Sequence, residues 1–397
     1  MKVEYEFTKL AIIFQRKFSS SLRKKNSTAI EVALLLVYSH ILGWFSVNEV
    51  ACHLKIQKDK LYNTLKDYKL REWKKLFKDL FEEYAVAELL SLENKSESTF
   101  SRSEVVLSLD DSHIHRCGKL LGYLGKWWSG QFHTVLNGND LLLVVLKVKE
   151  NVIPVNFCLA SKKGRYTNRH DRMKMMISEI VKSFEANSIN IKRIPVSMDS
   201  WYAKSGLKDQ LHEMGFQKIV VGAKKHFVIL KKRTKYVKKQ VKEAITEEIF
   251  NESTGELKWA QSAETLSFRG DSPTFGYVVV LGRRILNQIR CVFAFNINRE
   301  AEILRIWQRH HFIEEVFKRL KHLLGLGKLS LQGNNGAYTN MMIPFLAYYV
   351  LLNLQTKTHK TFAALLRDFE FWKCRDFEGI LKAWNLSIVD INKVLKY

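Results

Sequence analysis

The sequence has few prolines and few cysteines, and its cysteines are not arranged in pairs. The five cysteines are scattered, and no two of them have the Cys-x-x-Cys spacing: Cys52, Cys117, Cys158, Cys291 and Cys374. An odd and dispersed set argues against a disulfide framework and indicates reduced thiols, so we expect a cytoplasmic protein.

Long apolar runs are also lacking. The longest, Met341 to Leu354, is too short to cross a bilayer comfortably and predicts a buried helix instead. The apolar stretch near the N-terminus, Lys9 to Lys17, is already mixed with charge, which is not typical of a signal peptide. We therefore expect no membrane partner.

Acidic residues are scarce relative to basic ones. The chain has 64 Lys plus Arg against 40 Asp plus Glu, which gives a formal net charge of +24. This excess favours a polyanionic partner, because counterion release then supplies much of the affinity. A solvated basic surface is the alternative, but a nucleic acid is the partner that such a charge favours.

The length of 397 residues predicts two or three domains. Residues 1–100 look wholly helical. Ala29 to Phe45 has helical periodicity, and Ser46 and Glu49 then form a capping box. A polar turn, Lys55 to Lys58, precedes a further helix that is rich in Lys, Asn, Thr and Tyr. We predict a helix-turn-helix DNA-binding domain here, although any α-hairpin could show this pattern.

Strands and helices alternate after a Ser-rich linker. Residues 101–225 follow the order βββαβαβ, which predicts an α/β fold with an RNase H-like core, a mixed sheet flanked by helices. The first three strands are Val105 to Leu109, Leu141 to Lys149 and Val152 to Ala160. Residues 226–298 predict a β-rich insertion, residues 299–335 the last helix of the core, and residues 336–397 C-terminal helices.

Carboxylates stand at two strand ends and on one helix. Asp110 and Asp111 close the first strand, and Asp199 closes a later apolar run. Glu314 lies beside the apolar stripe of a basic helix, Trp307 to Leu324, whereas Glu315 is expected to face solvent. Such carboxylates can converge as hard oxygen ligands for Mg²⁺. Because successive side chains face opposite sides of a strand, only one of Asp110 and Asp111 should bind metal.

The same helix carries a spaced motif. Trp307, His310, Glu314 and Lys321 follow the pattern Trp-x2-His-x3-Glu-x6-Lys. It resembles the Tyr-x2-Arg-x3-Glu-x6-Lys signature of DDE transposases of bacterial insertion sequences, in the subgroup with a β-rich insertion. Trp and His replace Tyr and Arg. The segments around Asp110 and Asp199 resemble those around the first and second Asp of that family, with Asp111 as the rival of Asp110.

The resemblance implies an RNase H-like DNA transposase. Asp110, Asp199 and Glu314 would bind Mg²⁺, for which Mn²⁺ can substitute, and the enzyme would cut and join DNA by two-metal phosphoryl transfer. The implied partners are double-stranded DNA, both the terminal repeats of the element and the target, and a second copy of the chain in a homodimer on that DNA. The implied location is the bacterial nucleoid. A metal-dependent nuclease on the same fold and a domesticated, non-catalytic DNA-binding protein are the alternatives.

Basic residues predict the DNA contacts. The run from Lys224 to Lys242 carries nine Lys or Arg and no acid, which is typical of a phosphate-tracking face, although a solvated β-ribbon would look the same. Within it we single out Lys224, Lys225, Lys231, Lys232 and Arg233. On the motif helix, the predicted DNA contacts are Trp307, His310 and Lys321.

Two weaker patterns remain. His113, His115 and Cys117 lie close enough in sequence to suggest zinc, but no second Cys/His pair at ligand spacing accompanies them. Trp127-Trp128 and Trp201-Tyr202 would suit stacking on an extruded base, although such aromatic side chains are more often core residues.

Overall fold

The structure is a computed structural model. It describes residues 16–17, 19–20, 27–66, 68–96, 100, 104–129, 132–161, 169–204, 206–223, 228–231, 237–240, 260–261, 266–268, 278–285, 288–297 and 299–375. The predictions for Lys224, Lys225, Lys232 and Arg233 fall outside these residues.

The described strands form one mixed sheet. Their order is β2-β3-β1-β5-β6-β12-β11-β10-β7-β8, with β4 also paired to β3 and β9 to β11. The bounds are β1 Val106–His115, β2 Gly125–Ser129, β3 Thr134–Val148, β4 Asn151–Leu159, β5 Val196–Met198, β6 Ile219–Ala223, β7 Val228–Lys231, β8 Val237–Gln240, β9 Ala260–Gln261, β10 Leu266–Phe268, β11 Val278–Ile285 and β12 Gln288–Phe295.

Helices precede, interrupt and follow the sheet. Their bounds are α1 Ser27–Ile41, α2 Val47–Leu54, α3 Lys58–Lys66, α4 Leu70–Phe81, α5 Ala87–Glu93, α6 Arg169–Ala186, α7 Leu207–Glu213, α8 Glu300–His310, α9 Phe312–Lys318, α10 Gly333–Thr358 and α11 Phe362–Arg375. Short π-helical segments, Glu82–Val86 and Arg319–Leu323, continue α4 and α9.

Five strands form the centre of the fold, in the order β4-β3-β1-β5-β6. β1 is antiparallel to β3 and parallel to β5, and β5 is parallel to β6. Helices α8 and α9 contact β1, and α6 packs on β3 and β4. This is the RNase H-like arrangement, so the predicted fold class is confirmed. The strands predicted in the insertion are also present, and β12 extends the central sheet by pairing antiparallel with β6.

The N-terminal helices share the core of the sheet. The Trp73 indole N–H donates to Thr339 Oγ1 at 2.8 Å, which ties α4 to α10. The ring of Phe77 lies 5.1 Å from that of Phe157 on β4 and 5.7 Å from that of Phe345 on α10. Helix α10 is buried over most of its length, as expected for the apolar run from Met341. Helix α4 is therefore packed on β4 and α10, and the domain boundary near residue 100 stays a prediction.

The predicted helix-turn-helix pair is present as α2 and α3. Ser46 is the N-cap of α2 and accepts from the Glu49 N–H at 3.1 Å, while the Glu49 carboxylate accepts from the N–H of Phe45 at 3.0 Å. The preceding helix ends at Ile41 rather than Phe45, because Gly43 adopts a left-handed backbone with φ of 79°. None of the described helices is both long and apolar enough to cross a membrane.

Two element boundaries were predicted wrongly. β1 continues past Asp110 and Asp111 to His115, because β3 pairs with it along that whole length. Its parallel neighbour β5 stops at Met198, so the aspartates lie where the parallel pairing ends and not where β1 ends. The helix predicted from Trp307 to Leu324 is divided at His311 into α8 and α9 and closes in a π-helical turn.

Candidate active site

Asp110 and Asp199 lie side by side on neighbouring parallel strands. The register pairs Leu109 of β1 with Met198 of β5, and each of these two residues is followed by an aspartate. Adjacent strands are about 4.8 Å apart, and directly paired residues share a face of the sheet. Two residues earlier, the hydroxyls of Ser108 and Ser197 lie 2.8 Å apart, which fixes the shared face.

Helices α8 and α9 approach this face. His310 Nδ1 lies 3.3 Å from Ser197 Oγ, and Lys321 Nζ donates to Ser112 Oγ at 2.7 Å. Glu314 lies between these two residues in sequence. Its negative charge is the smallest of the effects that raise the pKa of Asp110, after burial and the charges of Asp111 and Asp199.

Negative charge is crowded around Asp110. Burial raises the pKa of this carboxyl well above its usual value, and the charges of Asp111, Asp199 and Glu314 raise it further. Lys321 supplies a cation on the same side, where burial lowers the pKa of its amine and the charge of Asp110 opposes that change. The carboxylates outnumber this cation, and a divalent cation would relieve their repulsion.

The position of Glu314 differs from the prediction in one respect. Its side chain is 65% exposed and lies 3.4 Å from the ring of His311, so it does not sit at the edge of the packed face. Glu315 was expected to be the more solvated of the two, and this is wrong: it is 43% exposed and pairs with Arg319 at 3.1 Å. The ion pair with Arg319 holds Glu315 on the other side of the helix.

The donor chemistry fits a hard divalent cation, since Asp110 and Asp199 offer carboxylate oxygens from adjacent strands. Among the residues described, no three His, Cys, Asp or Glu side chains are spaced as ligands of one metal ion. The carboxylate of Glu314 projects from the helix surface and is 65% exposed.

Asp111 faces the other side of β1. Its Oδ1 accepts from the Tyr202 hydroxyl at 2.9 Å, and its Oδ2 lies 3.2 Å from Arg169 Nη1. Burial raises the pKa of Asp111, but Arg169 and Tyr202 both oppose that shift. Both oxygens of Asp111 therefore have partners in the protein, whereas Oδ1 of Asp110 accepts from the N–H of Asp111 at 2.8 Å. Of the two candidates, the geometry favours Asp110 as the metal ligand.

His310 does not fit its predicted role as a phosphate contact. It is 3% exposed, and its ring stacks on Trp307 at 5.0 Å with an angle of 11°. Burial lowers the pKa of His310 to about 4, so the ring is neutral at pH 7 and offers no positive charge to DNA. Its buried ring contacts the hydroxyl of Ser197 and stacks on the ring of Trp307.

Trp307 is half-buried beside Asp199. A Cβ placed on Gly222 would lie 3.0 Å from Cη2 of Trp307 and 3.5 Å from Oδ1 of Asp199. Glycine at this position of β6 makes room for both side chains.

The remaining predicted residues are only partly within the described chain. Lys231 is the last residue of β7, and the other singled-out members of the basic run lie outside the described residues. His115 Nε2 is 3.7 Å from Cys117 Sγ, but these two residues have no third metal ligand in a suitable position within the described segments. Trp127 and Tyr202 are buried, while Trp128 is 59% and Trp201 52% exposed.

Sequence reasoning missed Arg169 and Asp140. Arg169 Nε lies 2.6 Å from Oδ2 of Asp140, which is 1% exposed. The signal for Asp140 was available, because an acid at the start of a Leu-rich strand must be paired if it is buried. Nothing local to Arg169 identifies it as the partner, since the sheet and α6 bring the two residues together.

Residues 163–350 match the transposase DDE domain family. The matched range includes Asp199, Glu314 and Lys321, and it begins after Asp110. A search of curated proteins gave no match to the chain.

Proposed function

We propose that the chain cuts the ends of a transposable element and joins them to target DNA, since residues 163–350 match the transposase DDE domain family, a family of DNA-processing enzymes. The observation that carries this proposal is the adjacency of Asp110 and Asp199, which follow the paired residues Leu109 and Met198, together with the raised pKa of Asp110, caused by burial and by the charges of Asp111, Asp199 and Glu314. Carboxylates that repel one another in this way are typical of sites that bind cations.

We assign Asp110, Asp199 and Glu314 as the ligands of divalent cations, Mg²⁺ or Mn²⁺. When bound, such ions activate a water or a DNA 3′-hydroxyl for attack on phosphorus and stabilise the leaving oxygen. Glu314 is the mobile member of the set, since its side chain projects into solvent. A rotamer change towards the aspartates would complete the ligand set when metal and DNA bind.

Lys321 and His310, which follow and precede Glu314 in the sequence, hold the two segments that carry the aspartates. Lys321 holds β1 through Ser112 Oγ and the carbonyl of His113, at 2.7 and 2.9 Å. Its ammonium group can also neutralise a phosphate at the end of β5. His310, neutral and buried, holds Ser197 and so fixes the strand that carries Asp199.

DNA binding falls to the surfaces outside the carboxylate site. Helix α3 presents Lys58, Asn63 and Lys66 on its exposed side, which suits contacts to a DNA groove and backbone. The basic run that begins at Lys224 would follow phosphates, and the formal charge of +24 supports a polyanionic partner. A homodimer on DNA and association with the nucleoid also belong to this proposal.

The test is cleavage of DNA that carries the terminal repeats, with Mg²⁺ as the only divalent cation. We expect Asp199→Ala and Glu314→Gln each to reduce cleavage about 10²-fold or more, because each removes charge from the reacting centre. Glu315→Gln is the matched control and should stay within about twofold, the range of a surface substitution. If both Asp199→Ala and Glu314→Gln cleaved DNA at the wild-type rate, the assignment of these residues as metal ligands would be refuted.

Joined products distinguish a transposase from a nuclease on the same fold. A target plasmid should acquire the cut ends through their 3′-hydroxyl groups. Cleavage without any joined product would leave the nuclease as the better description.

A further inference from the structure

The reverse face of β1 carries a second charged cluster, separate from the Asp110 face. Arg169, the first residue of α6, lies between two carboxylates, 3.2 Å from Oδ2 of Asp111 and 2.6 Å from Oδ2 of Asp140. The guanidinium of Arg169 therefore faces two acids, the half-buried Asp111 and the fully buried Asp140. Leaving any one of them without its partner would strand a charge inside the protein.

Tyr202 connects this cluster to Asp199, the residue that follows β5. Its side chain is fully buried, and its hydroxyl donates to Oδ1 of Asp111 at 2.9 Å. Its backbone N–H donates to the carbonyl of Asp199 at 3.0 Å. One residue therefore contacts the neighbour of Asp110 with its side chain and Asp199 itself with its backbone.

Aromatic rings confine Arg169 from two sides. Its guanidinium lies 5.1 Å from the ring of Trp127 and 5.8 Å from that of Trp201, close enough for cation–π attraction. His170 stacks on Trp201 at 5.8 Å with an angle of 15°. Trp201 directly precedes Tyr202, so the position of Arg169 is coupled to the segment that follows Asp199.

We propose that Asp111, Tyr202 and Arg169 are positioning residues that hold Asp110 and Asp199 at the spacing needed to bind divalent cations. The proposal rests on the assignment of Asp110 and Asp199 as metal ligands. Metal ligands must be held within a fraction of an ångström, and the residues behind them commonly determine the affinity. We call Asp111, Tyr202 and Arg169 the clamp. It connects β1 to the turn after β5, the two elements that supply Asp110 and Asp199.

Tyr202→Phe tests the clamp with the smallest change, since it removes one buried hydroxyl. Mn²⁺ binding to the full chain, followed by electron paramagnetic resonance without DNA, is the readout. We expect the dissociation constant to rise roughly 10-fold, the usual effect of removing a group behind a ligand. DNA cleavage should fall as well and recover in part at high Mn²⁺, because the ligands themselves are intact.

Tyr348→Phe is the matched control. Tyr348 is also fully buried, and its hydroxyl donates to the carbonyl of Val152 at 2.9 Å, away from the ends of β1 and β5. Its loss should lower thermal stability without changing the Mn²⁺ dissociation constant. Equal Mn²⁺ affinity of the two variants would overturn the clamp and leave the proposed function standing.

Arg169→Lys covers the case in which Tyr202→Phe does not fold. It keeps the charge but loses the fork that reaches Asp111 and Asp140 together, and we expect several-fold weaker Mn²⁺ binding. Its control is Arg193→Lys, at an arginine that donates to the carbonyls of Glu93 and Lys95 at 2.8 and 3.0 Å. Unchanged affinity in Arg169→Lys would overturn the clamp, whereas a wild-type chain that binds no Mn²⁺ would overturn both the clamp and the metal assignment.

Discussion

The two faces of β1 carry carboxylates of the same type in opposite electrostatic settings. On one face, Asp110 meets the charges of Asp199 and Glu314, and its pKa is raised well above its usual value. On the other face, Asp111 has a hydrogen bond from Tyr202 and an ion pair with Arg169. Consecutive residues of one strand are thus separated into a charge-crowded side and a charge-paired side.

The comparison teaches where the protein supplies its own countercharge. Burying a carboxylate is costly unless a partner compensates it. The Arg169 side offsets part of this cost with protein groups: Arg169 and Tyr202 oppose the rise in the pKa of Asp111, while burial and the charge of Asp111 still raise the pKa of Asp140 to about 7. The Asp110 side leaves the repulsion largely in place, which is a stability cost that a cation-binding site carries for function.

The largest effect is expected on DNA cleavage, when the aspartate on each face of β1 is replaced by asparagine. We expect Asp110→Asn to reduce Mg²⁺-dependent cleavage about 10³-fold, since it removes a carboxylate that would contact the metal. Asp111→Asn should cost only about 10-fold, because it weakens the clamp and leaves the ligands in place. Cleavage rates at saturating DNA measure both, and a larger loss in Asp111→Asn would reverse the assignment of the two faces.

Stability should change in the opposite direction for Asp110. A raised pKa in the folded state means that its stabilising contribution is complete below the unfolded value of 3.8 and is lost as pH rises through the folded value. In EDTA at pH 8, Asp110→Asn should therefore raise Tm by about 1–2 °C, as ~1 kcal/mol would in a chain of this length. Thermal melts from pH 8 to pH 4 should show this gain shrinking.

Asp111→Asn supplies the contrast in the same melts. Burial raises the pKa of Asp111 as well, but Arg169 and Tyr202 reduce that shift, so removing its charge should change Tm at pH 8 less than Asp110→Asn does. A gain in Tm for Asp111→Asn as large as that for Asp110→Asn, or a loss for Asp110→Asn, would contradict the electrostatic difference between the faces.

The smallest effect is expected from a single lysine substitution on α3. Lys66→Ala, on the exposed side of this helix, should weaken DNA binding a few-fold and reduce the slope of log affinity against log salt concentration by about one unit. Lys192→Ala, an exposed lysine outside that helix, is the control. Fluorescence anisotropy over a range of salt concentrations measures these effects, and equal slopes for the two lysine variants would argue against DNA reading by α3.

The sequence allowed the succession of strands and helices along residues 101–225 and the two strands that lead to the aspartates to be predicted, because the apolar runs of β1, β3 and β5 are continuous and buried. The motif spacing also favoured Glu314 over Glu315, and the charge of Glu314 acts on Asp110, while its role as a metal ligand stays a prediction. Period-two alternation predicted that Asp110 and Asp111 face apart.

The clamp could not be predicted in the same way. Arg169 reaches Asp140 and Asp111 only after α6 has packed on the sheet, so no local spacing links the three. The burial of His310 also depends on how α8 lies on β5, and the sequence motif alone suggested a phosphate contact. Exposure of Glu314 likewise depends on its rotamer, which sequence periodicity does not determine.

The most direct test is a crystal structure of the full chain grown with Mn²⁺, using anomalous scattering to locate the ion. We expect an anomalous peak between the carboxylates of Asp110 and Asp199, with Glu314 turned towards it, and no peak beside Asp111. A peak between Asp111 and Asp140, or no peak at either face of β1 at saturating Mn²⁺, would contradict the account.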